Sequence, residues 1–475
     1  MDYPQNVMMM PAGSLVTSLA AMSPGHYQRS GDWGIVSSTT DAGRRSLLSP
    51  DLLALIVGSY TLKLSQRSLD LNTAANWDSI DTDYIVAATR AGKDFYVYAV
   101  PNKGLILSAN STVPAGYTAA TSRKVAGFHC LCVAVGVIAG HSLTGFLAGD
   151  ILPATIWDLL HRPVCSPAGM AWSPLAQRWV DIYLQSGTGA NTASAFGVTI
   201  TDTRDWMDFT DDLSAVKKQL LTDGEFQIVA EGSNQKTNIA GSADPVSTGG
   251  HRDTTGATAG TSTSAAAPST DISAAANPQS LTINLNGTGP VVVSFAPVGL
   301  NTGALIAAAL QVAIRAAIPW AGGLTVTYGA TYVISCFGSV GPSASVVVTA
   351  GAPNDCAAAL KLGVANGGAE VAGNLGRRMV SNIGLEDCCG ALFQWLSDQS
   401  YQNDAAAYAG AFGYYTLPGN KGSLYRQGAI GDVKLVAGGS WYYGTLCGSR
   451  SRTANCSRWH TATSIGSRGC ARRQG

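Results

Sequence analysis

The stretch that decides the fold is Gly438-Gly439-Ser440-Trp441, near the C-terminal end of the chain. It is followed by residues 442–447, then Gly448-Ser449-Arg450, then residues 451–465 and Gly466-Ser467-Arg468-Gly469. The two intervening segments have no hydrophobic periodicity, although glycines and arginines stand at fixed points around them. Because glycine permits tight turns and close backbone approach, this pattern predicts loops held by a scaffold. Exposed loops on a rigid scaffold are typical of recognition surfaces.

The spacing resembles the variable region of proteins that are diversified by retroelements, a family that includes the receptor-binding tips of phage tail fibres. The resemblance is carried by GGSW at 438–441, GSR at 448–450 and IGSRG at 465–469. It implies a C-type-lectin-like fold at the C-terminal end of the chain. It also implies adhesion to a host surface. We expect no catalysis and no cofactor, and we assign no metal-ligating residues.

The resemblance further implies which residues contact a ligand. Diversification in this family substitutes adenines, often in asparagine-type codons, and therefore yields a limited set of residue types. The residues of such types in the two segments that we assign to the ligand-binding surface are Tyr442, Tyr443, Thr445, Leu446, Cys447, Asn455, Cys456, Arg458, His460, Thr461 and Thr463. Tryptophan cannot arise in that way, so Trp441 and Trp459 are expected in the scaffold. The other expected scaffold residues are Gly438, Gly439, Gly448, Arg450, Gly466, Arg468 and Gly469.

The charge of the chain is balanced overall but not along its length. The 475 residues are 13% charged with no net charge, which is typical of a globular chain of about two to four domains. No acidic residue follows Asp432, whereas the basic residues after it are Lys434, Arg450, Arg452, Arg458, Arg468, Arg472 and Arg473. Such a terminus can bind polyanions. We expect Arg450 and Arg468 to pair internally, and the remaining arginines to face an anionic ligand such as a surface glycan rather than nucleic acid.

Location and partners follow from the termini and from the resemblance. The N-terminal sequence has an acidic second residue and no lysine or arginine before Arg29, which does not fit a secretory signal. No apolar run is long enough to span a bilayer, so membrane insertion is not expected. The ten cysteines are expected to be thiols. The resemblance implies a virion protein at the tail-fibre tip, made in the host cytoplasm and acting outside the cell. Its implied partners are a host cell-surface protein or glycan, other phage tail proteins, and two further copies in a homotrimer.

The N-terminal part is predicted to be a β-rich domain over residues 1–147, which serves fibre attachment and oligomerisation in the resembling proteins. Short apolar runs predict strands at 60–65, 83–88, 95–100 and 104–108. The lectin-like domain is assigned to residues 148–255 and 376–475. Within it, Phe209, Leu213, Val216 and Leu220 share one face of a predicted helix, and Thr222 with Glu225 forms a capping box for the next.

Residues 256–375 are predicted to be a linker followed by an inserted α+β module, so the fold class of the whole chain is α+β. The linker is indicated by Ala, Ser, Thr and Gly over residues 254–277. Strands are predicted near 281–285, 291–295, 324–328, 332–337 and 344–349. A helix over 303–318 ends at Pro319, and Asp355 is expected to cap a last short helix.

Two other functions remain open. A formylglycine-generating-type oxidase shares the fold and needs reactive cysteines, for which Cys447 and Cys456 lie in the right region. Both positions belong to the variable set, however. A cellular binding protein diversified by the same means would require an export signal. His129, Cys130 and Cys132 lack a second ligand cluster, so a core histidine is favoured over a metal site. Cys388-Cys389 is expected to be a buried pair, and no phosphate-binding loop or nucleophile elbow occurs.

Overall fold

The computed structural model describes residues 7–11, 25–233, 251, 260–285, 289–318, 324–336, 345–363, 365–367, 378–403, 413–416, 423–426, 430–441, 443 and 446–474. Within them the chain is rich in strands and has few helices. The helices are α1 Asp41–Arg44, α2 Ala87–Arg90, α3 Trp206–Ala215, α4 Asp223–Val229 and α5 Gly303–Ala317. The strands up to residue 220 are β1 Val7–Pro11, β2 Tyr27–Ser30, β3 Gly34–Ile35, β4 Ser46–Leu48, β5 Leu52–Val57, β6 Tyr60–Ser65, β7 Ser68–Asp70, β8 Asp94–Val100, β9 Gly104–Ser108, β10 Arg123–His129, β11 Trp157–Asp158, β12 Met170–Ser173, β13 Arg178–Asp181 and β14 Gln219–Leu220. The later strands are β15 Gly260–Thr263, β16 Gln279–Leu285, β17 Pro290–Phe295, β18 Thr325–Tyr328, β19 Tyr332–Cys336, β20 Val346–Ala350, β21 Ala365–Gly367, β22 Phe393–Asn403, β23 Gly413–Thr416, β24 Ser423–Arg426, β25 Ile430–Gly438, β26 Gly448–Cys456, β27 Ile465–Gly466 and β28 Gly469–Ala471.

The N-terminal part consists of small antiparallel sheets around an apolar core. The sheet orders are β1-β6-β5-β2, β3-β4-β7 and β11-β10-β8-β9. The core includes Trp77 and Phe95, whose ring centroids are 5.1 Å apart in an edge-on arrangement. The predicted strand at 83–88 is wrong, because residues 82–85 form a 3-10 helix and α2 follows it. Local bonds such as Tyr84 N–H to the Asp81 carbonyl (3.1 Å) replace the ladder that a strand would need.

The predicted boundary after residue 147 does not separate two cores. Leu131, Val135 and Phe146 belong to the C-terminal core, in which Phe226 and Leu396 are also buried. By contrast, Ile151 and Ile156 lie in the N-terminal core. The segment from 131 to 156 therefore contributes side chains to both cores and connects them.

Two sheets carry the C-terminal part, in the orders β12-β13-β28-β14 and β23-β24-β26-β25-β22-β27. The capping box of α4 is confirmed: the Thr222 side chain accepts from Glu225 N–H, and the Glu225 carboxylate accepts from Thr222 N–H. Helix α3 buries Phe209 and Leu213 as predicted but ends at Ala215, since Lys217 takes a left-handed conformation (φ 61°). Leu220 is consequently part of β14 rather than of the helix.

Residues 260–367 build a core of their own. The sheets β18-β19-β15-β21 and β17-β16-β20 pack with α5 around apolar side chains drawn from residues 272–362. The linker prediction is wrong from residue 260 onwards, because β15 lies there and Ile272 is buried in this core. The helix expected after Asp355 is also absent from the described residues. Asp355 Oδ1 instead accepts from the N–H groups of Gly351 (3.0 Å) and Ala357 (2.9 Å), which gives a series of turns.

No helix in the described part of the chain has the length and apolarity needed to cross a membrane. Among the same residues, no three His, Cys, Asp or Glu side chains converge in a way that could hold a metal ion. His129 is buried, and its two ring nitrogens lie within hydrogen-bonding distance of Asp94 and Tyr183. The ten cysteines are free thiols, and Cys388 and Cys389 are both buried.

Candidate functional site

The backbone at Gly438 and Gly439 requires glycine. Both residues have positive φ angles, 96° and 78°, which side chains rarely tolerate. A Cβ at Gly439 would lie 2.8 Å from Cys447 Cα, and one at Gly438 would lie 2.9 Å from the Cys388 carbonyl oxygen. The two glycines therefore allow the end of β25 to turn while it remains in close contact with its neighbours.

Trp441 immediately precedes the first variable segment, residues 442–447, and packs inward. Its backbone N–H donates to the Ala391 carbonyl at 2.9 Å, and its indole packs against a small core that contains Leu184 and Leu392. This arrangement ties the start of the segment to the residues that lead into β22. The side chain is half-buried rather than fully enclosed.

Arg468 is enclosed by the protein and satisfies several backbone carbonyls at once. Its guanidinium donates to the carbonyls of Asp181 (2.7 Å), Ile182 (2.5 Å) and Glu386, and to Gln394 Oε1 (2.9 Å). Only 1% of the residue is exposed. Arg468 therefore joins β13, β22 and the segment before it, and it does so mainly through carbonyl groups rather than through a carboxylate partner.

Arg452 is not available to an anionic ligand, contrary to the expectation for this basic terminus. It lies in β26, is 7% exposed, and pairs with Asp223 Oδ1 at 2.5 Å. Its guanidinium also donates to the carbonyls of Ser449 and Ser451, each at 2.8 Å. Burial lowers the pKa of Arg452. Arg458 is half-buried, whereas Arg472 and Arg473 are exposed.

In the first variable segment, the side chains that the structure describes are half-buried or buried. The Tyr443 ring packs edge-on against Phe393 at 5.1 Å between centroids. Cys447 is fully buried, and its Sγ donates to the Ser440 carbonyl at 3.0 Å, so it cannot contact a ligand in this structure. Leu446 is half-buried. Tyr442 and Thr445 lie outside the described residues.

The second variable segment is not an irregular loop throughout. Residues up to Cys456 form β26, which pairs with both β24 and β25. Cys456 is only 6% exposed, and Asn455 is half-buried. The expectation of an irregular loop was wrong here, because small polar residues can lie in a buried strand when the neighbouring strands satisfy their backbone N–H and C=O groups.

The exposed part of this region is therefore the loop over residues 457–463, between β26 and β27. His460, Thr461 and Thr463 are exposed there, as expected of ligand-binding residues. Trp459 is 67% exposed, so its assignment to the scaffold is corrected: no core encloses this indole. The loop returns to the sheet at Ile465, which pairs with Phe393 of β22.

A second segment adjoins this loop and was not predicted from the sequence. The N–H of Thr203 donates to the Ala462 carbonyl at 3.1 Å, and that of Trp206 donates to the Arg458 carbonyl at 3.0 Å. Met207, in the first turn of α3, is 39% exposed. The sequence of residues 201–207 does not predict that this segment lies beside the loop, because its partners are about 250 residues away in the chain.

Comparisons with known proteins give two sequence matches and several similar solved structures. Residues 60–158 match the family model described as the Mtd second domain. The chain is 30% identical over 204 residues to the tail fiber receptor-binding protein of Bordetella phage BPP-1, covering 38% of this chain and 51% of that protein. The alignment thus spans about half the length of that relative. The solved U1 and P3c variants of the Major Tropism Determinant align with 94% of this chain and 86% of theirs, at 17% identity and TM-scores of 0.48 and 0.49. The two sequence matches confirm the resemblance to receptor-binding proteins of phage tail fibres that the C-terminal sequence predicted.

Proposed function

We propose that this chain is the receptor-binding protein of a phage tail fibre and binds a host-surface protein or glycan through the 457–463 loop. The observation that carries the proposal is the 30% identity to a tail fiber receptor-binding protein. The loop supports it, because Trp459 and His460 are exposed on a segment whose two ends are fixed in one sheet. Aromatic side chains presented in this way often dominate an interface.

The finer parts of the proposal rest on the C-terminal sequence pattern. We assign residues 148–255 and 376–475, together with the apolar residues from 131 to 146 that pack in their core, to a C-type-lectin-like domain, and residues 256–375 to a linker and an inserted module. The variable positions are diversified by a retroelement, and the chain acts as a homotrimer attached to other tail proteins of the virion. Several copies on one fibre strengthen weak individual contacts through a high effective concentration.

Catalysis by a formylglycine-generating-type oxidase is disfavoured by the state of the two candidate thiols. Cys447 is fully buried, and burial raises the pKa of Cys456 to about 12. A thiol that stays protonated at neutral pH is a poor nucleophile and a poor copper ligand. A cellular binding protein diversified by the same means remains an alternative that fits the same surface.

Labelled protein added to a panel of bacterial strains tests the receptor-binding function. We expect selective binding to some strains, which is lost when residues 457–463 are replaced by glycine and serine. Equal binding of both forms would overturn the assigned surface. The sequence of the flanking genome tests the diversification separately. We expect a near-repeat of the C-terminal coding segment beside a reverse transcriptase gene. If neither is present, the proposal of diversification by a retroelement is wrong.

A further inference from the structure

A pocket of about 430 Å³ lies away from the variable region, where the N-terminal and C-terminal sheets meet. Its wall includes Trp33, Trp157 and Trp172, together with His161. The volume is within the range of small-molecule sites, about 300–1,000 Å³. None of the residues that line it belongs to the 438–469 region, so it is distinct from the proposed receptor-binding loop.

Asp158 makes one wall of the pocket rigid. Its Oδ1 accepts from the N–H groups of Leu160 (2.9 Å) and His161 (2.7 Å). Its Oδ2 accepts from the Tyr27 hydroxyl at 3.1 Å and pairs with Arg29 Nε at 2.5 Å. Because both carboxylate oxygens are already satisfied, Asp158 positions the wall and offers little charge to a ligand.

Other polar groups on the wall are not used by the protein. The indole N–H groups of Trp157 and Trp172 donate no hydrogen bond to any described residue, and neither nitrogen is sealed from solvent. The ring nitrogens of His161 likewise have no hydrogen-bonding partner in the described part of the chain. The His161 ring is nevertheless fixed, with its centroid 4.9 Å from that of Trp172 and 5.1 Å from that of Trp179. Burial and the nearby Arg473 lower the pKa of His161, so the ring is neutral at pH 7.

Aromatic side chains held in place, with indole N–H groups that donate to no described residue, are suited to binding a saccharide ring. The C–H face of a pyranose is apolar and slightly positive, which matches the negative face of an indole ring. Its hydroxyl groups both donate and accept, which matches indole N–H groups and a neutral imidazole. Aromatic walls also bind quaternary ammonium groups. That ligand is disfavoured here, because Arg29 and Arg473 balance the two carboxylates on the wall, Asp32 and Asp158.

We propose that this pocket is a second ligand site that takes an uncharged saccharide ring. The site is independent of the 457–463 loop, so the two proposals stand or fall separately. A saccharide site outside the variable region would give the chain a contact with glycans that does not vary with the variable residues.

Ligand-observed saturation-transfer NMR on the purified full-length chain tests the proposal. The probes are methyl glucoside, the methyl glycoside of N-acetylglucosamine, and choline. We expect at least one glycoside to bind with a Kd of about 0.1–10 mM, and choline to bind more weakly or not at all. The proposal is wrong if neither glycoside binds at roughly 50 mM, or if choline binds more tightly than both glycosides.

Two variants localise the binding. Trp172→Ala removes a stacking wall and is expected to weaken glycoside binding roughly tenfold or more. His161→Phe retains the ring packing against Trp172 and Trp179 but removes both ring nitrogens, so it should weaken binding with the fold intact. Ile80→Ala is the control, since it removes an exposed apolar side chain outside both the pocket and the 457–463 loop, and its affinity should equal wild type. Unchanged binding in His161→Phe, or an equal loss in Ile80→Ala, would place the glycoside elsewhere and refute the site.

Discussion

The imidazole Nε2 of His129 lies 2.9 Å from the hydroxyl oxygen of Tyr183, and both side chains are buried. His129 ends β10, within the segment that matches the second-domain family model, whereas Tyr183 follows β13 in the C-terminal part. The other ring nitrogen of His129 lies 3.0 Å from Asp94 Oδ1. Buried polar groups are costly when a partner is lost, so this pair fastens the two parts of the chain to each other.

Tyr183→Phe tests that role. The variant retains the ring, which packs 5.5 Å from the His129 ring, but leaves a buried nitrogen without a partner. We expect a loss of about 1–3 kcal/mol in the free energy of unfolding, measured by urea denaturation. Tyr60→Phe, at an exposed position in β6, is the control and should unfold like wild type. Equal stabilities of the two variants would show that the His129 contact does not fasten the parts.

Local patterns in the sequence predicted local structure well. The run from Gly303 to Ala317 is helical as expected, because Thr302 caps it and Ile306, Leu310 and Ile314 share one buried face. The capping box of α4 needs only residues three apart. Such elements depend on neighbours in the sequence, and the sequence alone is then enough.

Contacts between distant segments could not be predicted in the same way. Trp459 was expected in the scaffold because tryptophan cannot arise by the family's diversification, but it lies in the exposed loop between β26 and β27. Cys456 was expected on the surface from its residue type, yet it packs in a buried core with Trp395 and Val436. In each case the place of the residue in the fold, rather than its type, determines exposure.

Arg468→Lys is expected to destabilise the protein strongly although it preserves the charge. A lysine ammonium cannot replace a planar guanidinium that donates to several carbonyls in fixed directions. The unsatisfied buried groups should cost about 3–5 kcal/mol, measured by chemical denaturation. Arg472→Lys, at an exposed position four residues later, is the matched control. A small effect at Arg468 would mean that water or a lysine can satisfy these carbonyls.

The pair of His251 and Asp387 predicts a pH dependence of stability. Burial disfavours the charged imidazole, but Asp387 Oδ1, 2.7 Å from Nδ1, outweighs this and raises the pKa of His251 above its ordinary 6.5. The pair therefore contributes fully below pH 6.5 and loses its contribution as the pH rises through the folded-state pKa. The Tm difference between wild type and His251→Gln should be larger at pH 5.5 than well above that pKa. A difference that grows with pH would contradict the assigned charge state.

Removal of residues 256–375 is expected to leave the rest of the chain folded. The two flanks already meet, because the N–H of Met379 donates to the carbonyl of His251 at 3.1 Å. Strands β15 and β21, near the two ends of the module, also pair with each other. A short glycine-serine linker should therefore close the gap with little strain. Circular dichroism and thermal unfolding measure the result, and an unfolded deletion variant would show that the module is part of the C-terminal core.

The last prediction separates the recognition surface from its support. Replacing His460 with alanine should change Tm very little, because substitutions at exposed loop positions usually alter stability by less than about 0.5 kcal/mol. The same change should weaken adsorption to a susceptible strain. Trp441→Ala should instead cost about 3–5 kcal/mol through the cavity it leaves beside Leu184 and Leu392.

Tyr443 is intermediate between the exposed His460 and the packed Trp441, since its ring packs on Phe393 while part of it remains accessible. Tyr443→Ala should therefore lose both stability and adsorption, whereas Tyr443→Phe retains the ring contact and should lose less of both. Thermal unfolding and adsorption measured on the same preparations distinguish these effects. If His460→Ala lowers Tm as much as Trp441→Ala does, the 457–463 loop supports the fold, and the receptor must bind another surface.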